Sequence, residues 1–395
     1  MERPYARVTV TEKGERSLRA GHPWIYDNEL TSLPTCENGD VVDVYSARDR
    51  WLGVGFYNGN SRIRVRILSR NSNDRIDESF WQRKVDWCID YRRTVMGADF
   101  DNCRLVFGEA DGFPGLTVDR FGDVLVTEVL SLGMEQRKDC VYAELLKQTG
   151  CTVIYERCEN AIRDKEGLPR RSGFYAGEGS GIVRIRENGL YYDVNYIEGQ
   201  KTGYFLDQKY NRAAAAKLAE GRRVLDCFTH TGAFALNCAA AGAEKVTAVD
   251  VSALALESAK HNAELNGLGN IDFVQRDVFE LLTELLSSKS RDYDYIILDP
   301  PAFTKSGSTV DSAYRGYKDI NYRAMRLLPR GGYLATCSCS HFMTAELFKK
   351  MLREAAADAG VSLRQIEERR QAPDHPILWG VPETEYLKFY LFQVV

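Results

Sequence analysis

The sequence lacks the features of exported and membrane proteins. Its first stretch, MERPYARVTVTEKGERS, has no apolar core of a signal peptide, and no apolar run approaches the roughly 18 residues of a membrane span. The ten cysteines contain no Cys-x-x-Cys pair and no spacing of a secreted disulfide framework. We therefore expect a cytoplasmic protein with mostly reduced thiols, no membrane partner and no metal site.

The chain also lacks an excess of positive charge. Its 52 Lys and Arg residues against 56 Asp and Glu give a net charge of −4, so any contact with nucleic acid must come from a local patch. One candidate is the set Arg62, Arg64 and Arg66, which alternates with apolar residues in a predicted strand. Three arginines on one face predict either an RNA-binding surface or a solvated edge strand, and both interpretations stay open.

The 395 residues suffice for two or three domains. Residues 1–72 predict the short strands and turns of a small β-barrel, and residues 73–185 predict a middle α+β domain. The pattern from about residue 186 to residue 395 predicts alternating helices and strands, which is typical of an α/β domain with a mostly parallel sheet.

Residues 224–250 form the most informative segment. The pattern predicts a strand, a loop, an Ala-rich helix and a second strand, and the two strands end at Asp226 and Asp250. Asp277 and Asp299 follow later predicted strands. A single acid there is usually a turn former or a helix N-cap. Four acids in successive units instead predict a cofactor site, because ligands bind outside the carboxyl ends of parallel strands.

The loop 227–234 indicates which cofactor this is. It contains one glycine, Gly232, and lacks the G-x-G-x-x-G that lets the backbone approach the pyrophosphate of NAD or FAD. S-adenosylmethionine carries ribose and adenine without a pyrophosphate and tolerates such a loop. We expect Asp250 to accept hydrogen bonds from the ribose hydroxyls, and Asp277 to lie by the adenine.

Two further segments carry residues suited to chemistry. In 296–303 a buried strand ends at Asp299, and two prolines then fix the backbone ahead of Phe303, an aromatic residue that can stack on a base. A later strand ends in Cys337-Ser-Cys339-Ser340 at the same predicted edge. A thiolate at this edge can attack carbon 6 of a cytosine and thereby activate carbon 5, which alone is a poor nucleophile.

These motifs resemble a known family. The segments beginning at Asp226 (DCFTHTGAF) and Asp299 (DPPAF), with the CSCS strand end, resemble class I S-adenosylmethionine-dependent ribosomal RNA methyltransferases. They are most similar to the family that has an N-terminal PUA domain and methylates carbon 5 of a cytosine in 23S rRNA. Further matches, at 21–26, 108–120, 201–208, 315–321 and 374–376, extend the resemblance over nearly the whole chain.

The resemblance implies an architecture and partners. It implies a PUA-like RNA-binding domain at 1–72, a middle α+β domain at 73–185 and a Rossmann-like class I methyltransferase domain at 186–395. The implied partner is large-subunit ribosomal RNA. The sequence leaves the oligomeric state open, a homodimer included.

The resemblance also implies roles for individual residues. Cofactor contacts fall on Tyr204, Phe205, Asp207, Gln208, Asp226, Phe228, Thr231, Gly232, Asp250, Asp277 and Asp299. In this family a Cys-Ser follows the last core strand, so Cys339 is the implied nucleophile, with Asp299 on the base edge and Phe303 against the base. Cys337 stays the alternative, because Thr336-Cys337-Ser338 matches the Thr-Cys-Ser of other RNA cytosine methyltransferases.

Other functions share parts of the pattern. The same fold methylates guanine ring nitrogens, where Asp-Pro-Pro before an aromatic residue also occurs and no thiol is needed. An adenine amino methyltransferase usually has the aromatic residue directly after Pro-Pro. A non-catalytic RNA-binding assembly factor would need only the barrel, whereas this chain keeps the acids and Cys339.

Overall fold

The computed structural model describes residues 3–304 and 306–395, which fold into two compact units. The first unit comprises the described part of Met1–Ile185 together with Val194–Leu206 and Pro373–Thr384. The second comprises Arg186–Asp193, Asp207–Ala372 and Glu385–Val395. The domain boundaries expected at 72 and 185 stay a prediction. No helix in the described ranges is long and apolar enough to cross a membrane.

The first unit begins with a five-stranded sheet in the order β1-β3-β4-β5-β2. Its strands are β1 Ala6–Val10, β2 Trp24–Tyr26, β3 Val41–Ser46, β4 Trp51–Tyr57 and β5 Ile63–Ser69, and α1 is Glu12–Arg19. Sequence analysis expected only strands here and missed α1. This helix is capped by the Thr11 hydroxyl, which accepts from the backbone N–H of Gly14 at 3.2 Å. Its internal glycine, a poor helix former, hides the helical pattern.

The same unit continues as the predicted α+β region. A second sheet has the order β10-β9-β8-β7-β6. The elements are α2 Glu78–Met96, β6 Asn102–Phe107, β7 Leu116–Phe121, β8 Val124–Val129, α3 Leu132–Glu135, α4 Lys138–Thr149, β9 Val153–Cys158, α5 Ile162–Glu166 and β10 Arg171–Ala176.

A late segment of the chain forms hydrogen bonds to residues of this region. An oxygen of the Asp374 carboxylate accepts from the backbone N–H of Arg104 in β6 at 2.8 Å, and the Asp374 carbonyl accepts from the Arg92 guanidinium at 2.9 Å. Arg92 is fully buried and is also paired with both oxygens of Asp111, at 2.6 and 2.7 Å. Residue 374 therefore supplies hydrogen bonds that the interior of the first unit needs.

A hairpin carries the chain between the two units. Its strands are β11 Ile182–Glu187 and β12 Leu190–Asn195, and its turn has positive φ at Asn188 (51°) and Gly189 (87°). This is the conformation that a two-residue hairpin turn prefers, and Asn-Gly is a sequence that commonly adopts it. In the second unit, the buried Arg212 guanidinium donates to both oxygens of Glu187 at 2.7 and 2.9 Å and anchors the end of β11.

The second unit is a seven-stranded sheet with helices on both faces. Its order is β15-β14-β13-β16-β17-β19-β18. The elements are α6 Lys209–Ala216, β13 Arg223–Cys227, α7 Ala233–Ala240, β14 Lys245–Asp250, α8 Ala253–Leu265, β15 Ile271–Gln275, α9 Val278–Ser287, β16 Tyr295–Leu298, α10 Val310–Leu327, β17 Tyr333–Ser338, α11 Ala345–Ala359, β18 Leu363–Arg369 and β19 Lys388–Val394. The first five strands in this order are parallel, whereas β19 runs antiparallel to both of its neighbours. The predicted α/β, Rossmann-like fold class is confirmed.

The register of these strands brings the predicted chemistry to one edge. Cys227 pairs with Val249 on one side and with Leu298 on the other, and Leu298 pairs with Thr336. Asp226, Asp250, Asp299 and the Cys337–Cys339 segment therefore lie at the same carboxyl edge of the sheet. This is the edge at which open α/β sheets bind ligands.

Candidate active site

Asp226 lies at the end of β13 and is completely buried. One of its oxygens, Oδ2, accepts from the Thr229 hydroxyl at 2.5 Å and from the Ala235 backbone N–H at 3.0 Å. The other, Oδ1, is buried without a hydrogen-bond partner among the described residues. Burial raises the pKa of Asp226 to about 7, and the carboxylates of Asp299 and Asp250 add to the shift.

The loop after β13 has an unusual backbone. Phe228, His230 and Gly232 have φ values of 65°, 51° and 78°, and the first two carry side chains that rarely adopt such values. A Cβ on Gly232 would lie 2.9 Å from the Cβ of Ala259, so packing as well as φ requires glycine here. The predicted loop is therefore present and turns tightly at Gly232, and strain at two non-glycine residues is a feature that clusters at functional sites.

Asp250 at the end of β14 organises this loop. One oxygen of its carboxylate accepts from the backbone N–H of His230 at 2.9 Å, and the other accepts from that of Ser252 at 2.9 Å. The side chain is half-buried, and a carboxylate offers about four lone-pair sites, so acceptor capacity remains for ribose hydroxyls.

Asp277 has a simpler setting. It is exposed and caps α9, where its Oδ1 accepts from the backbone N–H of Glu280 at 3.1 Å. The structure thus places it as a helix N-cap, and the expected contact with an adenine stays a prediction.

Asp299 follows β16 and is held by a glutamine. The side-chain amide of Gln208 donates to its Oδ1 at 3.0 Å. The neighbouring Asp207 is also held in place, because its Oδ2 accepts from the Tyr386 hydroxyl at 2.6 Å. The predicted residues Asp207, Gln208 and Asp299 are thus brought together in the second unit.

The two candidate thiols differ in accessibility. Cys337 is 0% exposed, inside β17, whereas Cys339 lies just past the end of this strand and is partly exposed. Burial raises the pKa of Cys337 well above the usual range of a thiol, and the nearby Asp299 carboxylate adds to this. Cys339 is therefore the more accessible of the two thiols, and its expected role as nucleophile stays a prediction.

A lysine that sequence analysis missed lies next to this segment. Lys388, the first residue of β19, pairs with Ser338 in the sheet register. Its ammonium donates to the carbonyl of Ser340 at 2.6 Å and to that of Tyr386 at 2.8 Å. The sequence feature that could have indicated it is a single lysine at the start of an otherwise apolar strand, KFYLF.

Phe303 is part of an aromatic cluster. Its ring centroid lies 4.5 Å from that of Tyr317, 5.9 Å from that of Phe279 and 6.5 Å from that of Phe228. The Tyr317 hydroxyl lies 3.0 Å from the Ser340 hydroxyl, next to Cys339. The cluster therefore places Phe303 and Phe228 at the edge that carries the acids and the thiols.

Other predicted residues belong to the first unit. Tyr204 is buried, and the Lys201 ammonium lies 4.5 Å from the Phe205 ring centroid. Their expected contact with a cofactor stays a prediction.

The three arginines of β5 and its preceding turn do not share one exposed face. Arg62 is exposed and Arg64 half-buried, but Arg66 is 8% exposed and pairs with Glu109 at 3.1 Å and Glu166 at 2.9 Å. The expectation of an accessible Arg66 is therefore wrong, because its guanidinium is buried in ion pairs with two carboxylates of the first unit.

The residues at the carboxyl edge fit S-adenosylmethionine. The orphaned Oδ1 of Asp226 is a buried acceptor that lacks a donor, and Asp250 has acceptor capacity left for a diol. The loop of Phe228 and Thr231 brings bulky side chains rather than the glycines a pyrophosphate needs. Asp226, Phe228, Asp250 and Asp299 would hold the cofactor.

Comparison with known proteins identifies the same two parts. Residues 8–70 match a PUA-like domain, and residues 168–393 match the family of S-adenosylmethionine-dependent methyltransferases. The ribosomal RNA large subunit methyltransferase I of Pseudoalteromonas atlantica is 42% identical over 394 residues, covering 99% of this chain and 100% of its own length. The Klebsiella pneumoniae protein of the same name is 38% identical, covering 99% of each chain.

Solved structures show the same fold. A structure described as a SAM-dependent methyltransferase from Streptococcus mutans has a TM-score of 0.83 at 23% identity, covering 98% of this chain and 99% of its own. A methyltransferase solved in complex with SAH has a TM-score of 0.84, also at 23% identity and with the same coverage. The predicted family, fold and cofactor are confirmed. This chain is an S-adenosylmethionine-dependent methyltransferase and belongs to the family of ribosomal RNA large subunit methyltransferase I.

Proposed function

We propose that this chain methylates carbon 5 of a cytosine in large-subunit (23S) ribosomal RNA, in the cytoplasm, with Cys339 as a covalent nucleophile. The printed name of its relatives supports the class of RNA. The observation that carries the choice of base and carbon is the partly exposed Cys339 thiol at the carboxyl edge that also bears Asp250 and Asp299. A guanine or adenine nitrogen needs no such thiol.

Each residue then has a defined task. The Cys339 thiolate forms a bond to carbon 6, and the electron pair of the carbon 5–carbon 6 double bond becomes nucleophilic at carbon 5. S-adenosylmethionine supplies an electrophilic methyl group there. Loss of the carbon 5 proton then restores the double bond and releases the thiolate. Asp299, oriented by Gln208, binds the polar edge of the base, and Phe303 packs against its ring.

The target cytosine must leave its stack to reach this edge. Phe303 suits such a base, because its ring is already held at 4.5 Å by Tyr317 and loses little freedom on stacking. Arg62 and the exposed part of the PUA-like region are the proposed contacts to the RNA backbone.

Trapping on fluorinated RNA tests the proposal. In 23S rRNA transcribed with 5-fluorocytidine, the carbon 5 fluorine cannot leave as a cation, so the adduct of Cys339 and methylated base persists. We expect a denaturant-resistant protein–RNA complex whose peptide map places the modification on Cys339. Cys337→Ala should still form this complex and Cys339→Ala should not. Normal turnover of unmodified RNA without any adduct would reject the cysteine route and favour a ring-nitrogen target.

A further inference from the structure

We propose that Lys388 is a positioning residue for Cys339, whose ammonium fixes the backbone beyond the thiol and provides the counter-charge of the thiolate. This inference rests on the proposed function, because it assigns the nucleophile to Cys339. It concerns a residue on β19, the antiparallel strand added beside β17.

The location of the ammonium supports the positioning role. Ser338 and Lys388 are register partners, so the lysine lies across from the end of the strand that delivers Cys339. Its Nζ atom bonds to the carbonyl of Ser340, the residue after Cys339, at 2.6 Å, and to that of Tyr386 at 2.8 Å. Two carbonyls thus fix the ammonium, and the ammonium in turn fixes the chain on the far side of the thiol.

The charge of Lys388 is not balanced by a carboxylate in direct contact, as far as the described residues show. The side chain is 5% exposed, and within the described chain it forms no ion pair with an aspartate or glutamate. Glu385, an acid whose charge acts on Lys388, is already paired with Arg370 at 2.5 Å. A buried cation without a counter-ion is costly, so a functional anion close by is the expected reason for keeping it.

Cys339 is the group that can become that anion. Burial lowers the pKa of Lys388 to about 8, and the negative charge of the Cys339 thiolate opposes this shift. An ammonium has three N–H groups, and the two carbonyls use two of them. A cation held next to a cysteine favours its thiolate, which is the form that attacks carbon 6.

Other titratable groups near Cys339 cannot take this role. Tyr317 on α10 has a raised pKa through burial and stays neutral, and Cys337 on β17 is a buried thiol. Asp299, after β16, acts on Cys337 and opposes any negative charge nearby. Lys388 on β19 is the cation that bonds to this segment, at the carbonyl of Ser340, and whose charge interacts with Cys339.

Alkylation of Cys339 measures its thiolate without any RNA. The full-length protein is pulsed with iodoacetamide across pH 6 to 10, and labelling of the Cys339 peptide is followed by mass spectrometry. In Lys388→Gln, which keeps a donor for a carbonyl but removes the charge, we expect the midpoint of the profile to rise by roughly one pH unit and labelling at pH 7.5 to fall roughly tenfold. Lys388→Arg should keep most of the wild-type profile.

A matched control is Lys349→Gln, which removes a lysine that pairs with Glu368 in the same unit. It should leave the profile unchanged. If folded Lys388→Gln shows the wild-type alkylation profile, even with reduced thermal stability, the role is merely structural and the inference is overturned. If the profile shifts but no adduct forms on fluorinated RNA, the inference holds for the thiolate and the proposed function fails.

Discussion

Gln208 connects the start of the second unit to the carboxyl edge of its sheet: its Nε2 donates to Oδ1 of Asp299 at 3.0 Å, while its Oε1 accepts from Asn211 at 2.7 Å. Because Asn211 fixes which end of the amide faces it, the amino group must face Asp299. The rotation of the Asp299 carboxylate is thereby set before any base arrives.

Removing this donor should impair catalysis more than folding. We expect Gln208→Ala to lower kcat/KM for RNA by roughly tenfold, which corresponds to the loss of one charge-assisted hydrogen bond. Steady-state methylation assays with labelled cofactor measure this. Gln275→Ala is the control, because the Gln275 amide donates to the Val251 carbonyl at 3.1 Å, away from Asp299. Equal rates for both variants would contradict the role.

Replacing Cys339 and replacing Cys337 should have different effects on methyl transfer. Cys339→Ala is expected to lose methyl transfer by about three orders of magnitude or more, because the variant lacks the thiol that the proposed mechanism adds to carbon 6. Its affinity for the cofactor should stay within about twofold of wild type, since the thiol is not a predicted cofactor ligand. Cys337→Ala removes a buried thiol and should cost stability but retain turnover. The reverse ranking would make Cys337 the nucleophile.

Asp250 should determine cofactor affinity. Asp250→Asn keeps the size of the side chain but replaces an acceptor oxygen by a donor, so one of the two loop N–H groups loses its partner. We expect an affinity for S-adenosylmethionine lower by roughly 10- to 100-fold, measured by titration calorimetry. Asp272→Asn, which removes an exposed ion pair with Lys245, should bind normally.

Asp226 should make stability depend on pH. Its folded pKa of about 7 lies above that of an unfolded aspartate, so its favourable contribution is present below about pH 4 and is lost as pH rises towards 7. Asp226→Asn does not titrate. Between pH 5 and pH 8, the free energy of unfolding of the wild type should therefore fall by about 2 kcal/mol relative to that of Asp226→Asn. Denaturant unfolding without cofactor measures both. Parallel pH curves would show that the carboxyl is ionised throughout.

The arginines of the PUA-like region should divide into two classes. Arg66→Ala leaves the buried Glu166 and the half-buried Glu109 without their cation and should cost about 3–5 kcal/mol of stability. Arg62→Ala removes an exposed charge and should change stability by less than about 0.5 kcal/mol. It should lower the affinity for RNA, and this affinity should then depend less steeply on salt concentration. Thermal unfolding and binding isotherms at two salt concentrations test both.

Strand ends were predictable because they depend on local pattern. Buried apolar runs that stop at Asp226, Asp250 and Asp299 need no knowledge of the rest of the chain, and parallel topology then brings the acids to one edge. The Asn188-Gly189 turn was equally local, because its conformation is encoded in two residues.

Long-range pairing was not predictable. Arg66 alternates with apolar residues as an exposed arginine would, and only the fold brings Glu109 and Glu166 to it from 43 and 100 residues away. Lys388 likewise acquires its place through an antiparallel strand whose partner, β17, lies about fifty residues earlier in the chain. A sequence pattern reports which residues share a face, but not which distant charge will meet them.

The late return of the chain to the first unit has a consequence for synthesis. The carboxylate of Asp374, which bonds to Arg104, lies 270 residues later in the chain. The carbonyl of Asp374, which bonds to the buried Arg92, lies 282 residues after that arginine. At ribosomal rates of roughly 5–20 residues per second, these partners emerge on the order of tens of seconds later. The nascent first unit therefore carries an unfinished interior throughout most of translation, when it is most open to chaperones and proteases.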